Sequence, residues 1–284
     1  MSDVSVTVQS LHIYPIKSCA GITLDQSLLT ETGLDLDRAW MVVDEHSEFV
    51  TQRQLPRMVL VQPTLKRDDV VLRAPGMLAL HLAVNAVEAP VRVKVWDDWV
   101  NAYAMGDLAA QWFSDFLGHR LRLVRFDPEQ RRLSDRQWTG TIEAENAFAD
   151  GFPLLVTSTA SLHELNQRLR AQSHTDVTLA RMRPNLVLDG LDAHGEDHVD
   201  EIVFDNADGP VRLKLVKPCA RCPIPDVDPQ TGTAGHAVGD VLASYRADPR
   251  MNGQLTFGMN AVIVEGILRS LRVGAAGGAN YRFE

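Results

Sequence analysis

The sequence predicts a mixed, β-dominated (α+β) fold, organised as an antiparallel sheet or barrel rather than as repeated βαβ units. Three observations predict it. Short β-branched runs with turn residues between them fill the first third of the chain. Strand-like runs return at Leu186–Leu188, Ile202–Phe204 and Val211–Val216. Convincing helical periodicity is confined to a few short segments, and no internal repeat or low-complexity tract is present.

In chain order, Val4 to Tyr14 alternates with β-branched residues and reads as the first strand. Trp40–Val43, Val59–Leu65 and Val70–Arg73 follow, and Val91–Val95 with Val100–Tyr103 flank Asp97-Asp98 as a hairpin. Asp107 to Leu117 reads as a helix, with Leu108, Trp112 and Phe116 on one stripe and Gly118 as its stop. A second helix spans Ser161 to Arg170, opened by the capping-box pair Ser161 and Glu164. The polar stretch Asp127 to Asn146, carrying Arg131, Arg132 and Arg136, reads as a solvated surface loop. Asp240–Arg246 is expected to be a short helix and Asn260–Val264 a late strand.

Composition narrows the function classes. Hydrophobic residues make up 45% and charged residues 23% of 284 residues, enough to bury a core in one large domain or two modest ones. A formal net charge of −9 argues against general nucleic-acid or membrane-surface binding. Three cysteines do not make a disulfide framework, and no signal-like or membrane-spanning apolar run is seen, so the expectation is a cytoplasmic protein with neither membrane nor nucleic acid as partner.

The stretch Lys217–Gly232, KPCARCPIPDVDPQTG, concentrates chemistry. Pro218, Pro223, Pro225 and Pro229 forbid a helix through it. Cys219-Ala220-Arg221-Cys222 admits four readings. A structural zinc site needs about four N/S ligands, and only Cys19 remains besides this pair. A thioredoxin-type couple wants its CxxC at a helix start, which Pro225 and Pro229 break. A third reading has the pair simply fill a tight loop. Last, flanked by Lys217 and Arg221, one thiolate can be the single soft ligand to a redox metal whose cofactor supplies the other sulfurs. Such a cofactor is bulky and anionic and needs cations elsewhere. Candidates are Lys17 and Ser18 after the first strand, Arg38 before Trp40, the run Thr51-Gln52-Arg53-Gln54 with Arg57, and Arg183-Pro184-Asn185 before Leu186.

Taken together, LHIYPIKSCAGI, GLDLDRAWMVV, TQRQLPRMV, FADGFPLLVTSTASLHELNQRL, MRPNLVL, VKPCARC with VDPQTG, and FGMNAVIV occur in order along almost the whole chain. In these segments the sequence resembles the MOSC-domain proteins (molybdenum cofactor sulfurase C-terminal type) that carry an N-terminal β-barrel domain, in the layout of the mitochondrial amidoxime-reducing component and its bacterial counterparts. The resemblance implies a β-barrel-like MOSC domain, residues 126–284, packed with a smaller N-terminal β-rich domain, residues 1–125, with some N-terminal strands crossing into the second. It implies the molybdopterin form of the molybdenum cofactor between them. Cys222 would be the molybdenum ligand; Lys17, Ser18 and Arg38 would hold the phosphate; Arg183 and Asn185 would hold the pterin, with Ala220 and Arg221 contributing through the loop. Asp150 falls where the family has an aspartate near the metal, and Cys219 falls at a non-ligand position. Two departures stand out: Gly151-Phe152 where a hydroxyl residue is usual, and a C-terminal VGAAGGANYRFE without the expected acidic strand start, so that the last strand is expected to fray.

The activity this implies is reduction of N-hydroxylated (N–O) compounds at molybdenum, with Cys222, Asp150 and Arg221 as the catalytic group: Asp150 relaying protons and Arg221 keeping Cys222 a thiolate. Three cysteines cannot ligate an iron–sulfur cluster and leave Cys222 free, so electrons would come from a separate donor protein of ferredoxin, flavin-reductase or cytochrome b5-like kind. No lysine lies in a Schiff-base context, which argues against pyridoxal phosphate. The alternative is a non-catalytic carrier of molybdenum cofactor or persulfide sulfur acting through Cys222.

Overall fold

A computed structural model describes residues 2–282. Seven strands close on themselves: Leu154–Ser158, Leu186–Asp189, Val4–Ile13, Ala276–Tyr281, Val199–Phe204, Val211–Ala220 and Gln254–Glu265, the last pairing back onto the first. Leu154 opposite Ala261 and Val156 opposite Met259 make the closure. All neighbours are antiparallel except Leu154–Ser158 and Leu186–Asp189, which run parallel and are joined by the Thr159–Ala171 helix, as a parallel pair requires. Alternation along the strands turns one set of side chains inward, and Val6, Leu11, Ile13, Leu186, Leu213 and Leu215 are among those that fill the barrel.

The first strand therefore belongs to the barrel although it opens the chain. The rest of the N-terminal half forms smaller sheets. Trp40–Val43 pairs with Arg122–Phe126, which joins the hairpin Pro90–Val95 and Asp98–Ala104. Gln62–Leu65, Asp69–Arg73 and Leu80–Ala83 make a three-stranded meander against the Gly106–Leu117 helix and its cluster of Trp112, Phe113 and Phe116.

Several local expectations change. The first helix buries Ala109, Trp112, Phe113, Phe116 and Leu117, while Leu108 points to solvent: the buried stripe is turned round the helix toward Ala109 and Phe113, away from Leu108. Val59 and Leu60 close a single 3-10 turn, Pro56–Leu60, ahead of the strand. Ser158, not Ser161, caps the second helix, its Oγ accepting from Ser161 N–H at 3.1 Å. Ser161 is freed to donate to the buried Glu196 carboxylate at 2.7 Å. The last helix spans Ala237–Ala243, earlier than the expected Asp240–Arg246. The segment Asp127–Asn146 is no solvated loop: Arg132 and Ser134 are buried and Arg136–Thr139 is helical. Nor does the last strand fray over its described residues; 283–284 lie outside them. Ala276–Tyr281 lies between the first strand and Val199–Phe204 and bonds to both.

Candidate functional site

Five segments bring the predicted residues together. The first strand exits through Tyr14–Ser18; Arg38 sits in the turn before Trp40; Asp150 lies in the loop before Leu154; Arg183 and Asn185 lie in the turn before Leu186; Arg221 follows the Val211–Ala220 strand. Tyr14 is the hub. Its buried ring has the Arg183 guanidinium 4.2 Å from its centroid and that of Arg38 at 4.5 Å. Two cations on one ring make a site without acidic neutralisation in equal measure.

Arg38 is fully engaged. It donates to Asp37 Oδ2 at 2.5 Å, to Asn185 Oδ1 at 3.0 Å and to the Arg183 carbonyl at 3.2 Å. Burial alone would lower its pKa, but the Asp37 carboxylate beside it overcomes this and raises it. Asn185 is buried and also ties His12 to Leu155, donating to the first carbonyl at 3.2 Å and accepting from the second N–H at 3.1 Å. Arg183 is different. It donates to the Cys19 carbonyl at 2.7 Å, but its Nη2 is buried without any partner. Burial, with no carboxylate in contact, pushes its pKa down to about 10. An anion at Nη2 would relieve both costs.

Lys17 is buried and donates to the Phe148 carbonyl at 2.8 Å and to Asp150 Oδ1 at 2.5 Å. Burial lowers its pKa against the opposing pull of Asp150. The Asp150 side chain is 74% exposed, so although nearby protein crowds it and pushes its pKa up, Lys17, the Trp96 N–H and Arg38 prevail and hold the carboxyl well below the usual range. Asp150 is thus an acceptor at neutral pH, and the ionisable proton of the pair is on Lys17. Ser18 is buried next to it, with its carbonyl accepting from Gln52 Nε2 at 2.7 Å.

The cysteine segment differs from a free loop. Lys217 to Ala220 finish the long strand, and Pro218 sits beside a register irregularity opposite Met259, where a missing N–H is tolerated. Arg221 N–H then bonds the Leu255 carbonyl at 2.8 Å, and its Nη2 reaches the Met182 carbonyl at 2.9 Å, tying this segment to Arg183. Its Nε is buried and unpartnered. The Arg221 guanidinium lies on Cys219, with Nη1 to Sγ 3.1 Å, rather than on Cys222. All three cysteines are free thiols: Cys19 is buried and its pKa is pushed up to about 12 by burial, whereas Cys222 is exposed and Ala220 beside it is exposed as well.

Residues the sequence did not mark complete the site. Arg132, buried, donates through Nη1 to Asn146 Oδ1 at 2.5 Å and to the Ala147 and Ala149 carbonyls at 3.0 and 2.6 Å, fixing the approach to Asp150. Trp96 donates to Asp150 Oδ1 at 3.1 Å. Arg53 stacks 4.5 Å over Trp96, whereas Arg57 stacks on Phe116 in the N-terminal core. Ser18, Arg38, Trp96 and Arg183 all have left-handed backbones, with φ of 67, 49, 55 and 58°. Such strain in non-glycine residues gathers at functional sites.

Comparison with known proteins places the chain in a family. The MOSC N-terminal beta barrel domain matches residues 5–120 and the MOSC domain matches residues 143–276. The mitochondrial amidoxime-reducing component 1 of Mus musculus is 37% identical over 254 residues, 86% of this chain and 72% of its own length. The chain belongs to the MOSC-domain family of the amidoxime-reducing components. The human component 1 is 35% identical over the same share of this chain and 73% of its own length. Human molybdenum cofactor sulfurase is 30% identical over 84% of this chain, but that match spans only 28% of the sulfurase.

Proposed function

We propose that the chain holds a molybdenum cofactor and reduces N-hydroxylated compounds with electrons from a separate donor protein. The observation that carries this is the pair of buried, unpartnered guanidinium nitrogens, Arg183 Nη2 and Arg221 Nε, in a net-acidic chain and beside a free, exposed thiol. The donor set fits a bulky anion with a soft metal centre. Arg183 and Arg221 supply open donors, Arg38 and Asn185 form the rigid wall behind them, and Cys222 is the exposed free thiol available as ligand. Lys17 already has two acceptors, so it contributes its charge and holds Asp150 rather than standing free as a clamp.

When bound, the cofactor supplies the two-electron oxygen-transfer chemistry that no side chain here can supply. Overall, the N–O bond of the substrate breaks, two electrons and two protons are consumed, and water leaves. The chain's own part is to orient the substrate and to deliver protons. Lys17 Nζ carries a proton eased by burial, and the exposed Asp150 carboxylate, which accepts from that Nζ, stays ionised and brings solvent water close enough to return the proton. Arg221 acts on Cys219 and on the loop geometry, holding Cys222 in place through its bond to the Met182 carbonyl.

The test is molybdenum content of protein made in a molybdenum-replete host, with benzamidoxime reduction by a supplied electron donor. Wild type should carry the metal and turn over; Cys222→Ala should lose turnover and most of the metal. Equal molybdenum in both, or none in either, defeats the ligand assignment. Persulfide labelling of Cys222 without turnover would instead favour a sulfur carrier.

A further inference from the structure

Trp96 occupies the turn between Pro90–Val95 and Asp98–Ala104, where Asp98 pairs with Val95. Its φ of 55° and 41% exposure are an odd combination for the largest side chain. A tight hairpin turn with positive φ ordinarily takes Gly, Asn or Asp, since these bear the conformation at low cost. A tryptophan placed there needs another reason. Packing alone does not supply it: the ring meets Phe49 at 5.0 Å between centroids and the Arg53 guanidinium at 4.5 Å, and stays partly open.

What the ring does reach is Asp150. Trp96 Nε1–H and Lys17 Nζ both donate to the same oxygen, Oδ1, at 3.1 and 2.5 Å. Among the described residues Oδ2 takes no hydrogen bond, and the side chain is 74% exposed. The carboxylate is thereby locked in orientation with one acceptor presented outward, next to an aromatic surface. Flat, conjugated groups stack on indole, and N–H groups bond a free carboxylate oxygen.

We infer that Trp96 is the substrate-positioning residue of this site, and that it and Asp150 Oδ2 together select flat, aryl-substituted N-hydroxyamidines over their alkyl counterparts. This rests on the reductase reading above. The amidine N–H of the substrate bonds to Oδ2, and its conjugated aryl group lies on the open part of the indole. An alkyl substrate keeps the first contact and lacks the second.

Calorimetric titration of the molybdenum-containing protein with benzamidoxime and with acetamidoxime, without electron donor, measures this directly. Wild type should prefer benzamidoxime by about tenfold, in the range of one aromatic contact plus the area it buries. Trp96→Leu should weaken benzamidoxime by about the same factor while moving acetamidoxime less than about twofold; Trp96→Phe should keep most of the preference. In turnover the Leu variant should raise KM for benzamidoxime by a larger factor than it lowers kcat. Equal binding of the two probes by wild type, no binding of either, or an equal loss for both in Trp96→Leu overturns the inference. Because the titration needs no reduction, a wild type that discriminates the probes but cannot reduce them sinks the reductase reading and leaves the binding assignment standing.

Discussion

Replacing Arg132 by methionine removes the guanidinium that holds the loop carrying Asp150. Three acceptors lose their donor: Asn146 Oδ1 and the carbonyls of Ala147 and Ala149. Each buried acceptor left unsatisfied costs about 1–3 kcal/mol. The three are neighbours on one group, so the costs do not simply add, and water entering the space recovers part. The ion pair to Asp98 adds little, because the Asp98 side chain is 56% exposed. The expected loss is about 4 kcal/mol, on the order of 10 °C in Tm for a chain of this size. Thermal unfolding followed by circular dichroism gives the number. Asp98→Asn serves as control and should cost less than about 1 kcal/mol. A loss below about 1 kcal/mol in Arg132→Met would refute the reasoning, since it would mean that the loop holds its shape without the guanidinium.

Gly258 sits where the barrel closes, at φ 76°, and a Cβ there would lie 2.7 Å from both the Val156 carbonyl oxygen and Thr157 Cγ2. Gly258→Ala should therefore cost roughly 3 kcal/mol, from the left-handed backbone plus overpacking against backbone that cannot yield, as read by urea unfolding. His194 has both ring nitrogens unpartnered; burial, then the nearby Arg246, lowers its pKa to about 4 from 6.5. Between those two pH values the unfolded chain takes up a proton that the folded chain refuses, so stability is full above pH 6.5 and declines as the pH drops toward 4. The decline should be at most about 3 kcal/mol and should flatten in His194→Phe, which unfolding curves at pH 7 and pH 4.5 will show.

The strands were legible where alternation met β-branched residues, as in Val4–Ile13 and Trp40–Val43. The last strand was expected to fray for want of an acidic start, and its glycines turn out to be placed by close packing: a Cβ on Gly277 would lie 2.6 Å from Phe204 Cδ1, and one on Gly278 2.5 Å from Ser2. The segment 127–146 misled for a different reason. Its charges look solvated, yet Arg132 is spent on backbone carbonyls, and only the fold shows which arginine turns inward. At the site, charged residues clustered in the chain could be found because their chemistry is uncommon there. Tyr14 and Trp96 could not, and Gln52 was legible only as part of a polar run. Their roles come from a ring between two guanidinium groups, an indole on a carboxylate 54 residues away and an amide on the Ser18 carbonyl 34 residues away.

The strained backbone at Ser18, Arg38, Trp96 and Arg183 explains why the site is built as it is. A left-handed residue other than glycine costs about 1–3 kcal/mol, and glycine at each position would remove most of that cost. Glycine would also remove the group that the turn exists to display. The surrounding structure therefore has to overdetermine each turn. Arg38 is held by Asp37, Asn185 and the Arg183 carbonyl; Arg183 by Tyr14 and the Cys19 carbonyl; Ser18 by Gln52; Trp96 by Asp150 and Phe49. Apart from Asp37, these restraints come from outside the turn they hold, so no single turn can relax without disturbing another. What is left after this mutual restraint is small and specific: the Nη2 of Arg183, the Nε of Arg221, the second oxygen of Asp150 and the thiol of Cys222. In the proposed function these four groups are the ones that would meet anionic oxygen and a soft metal on one side and a substrate N–H on the other.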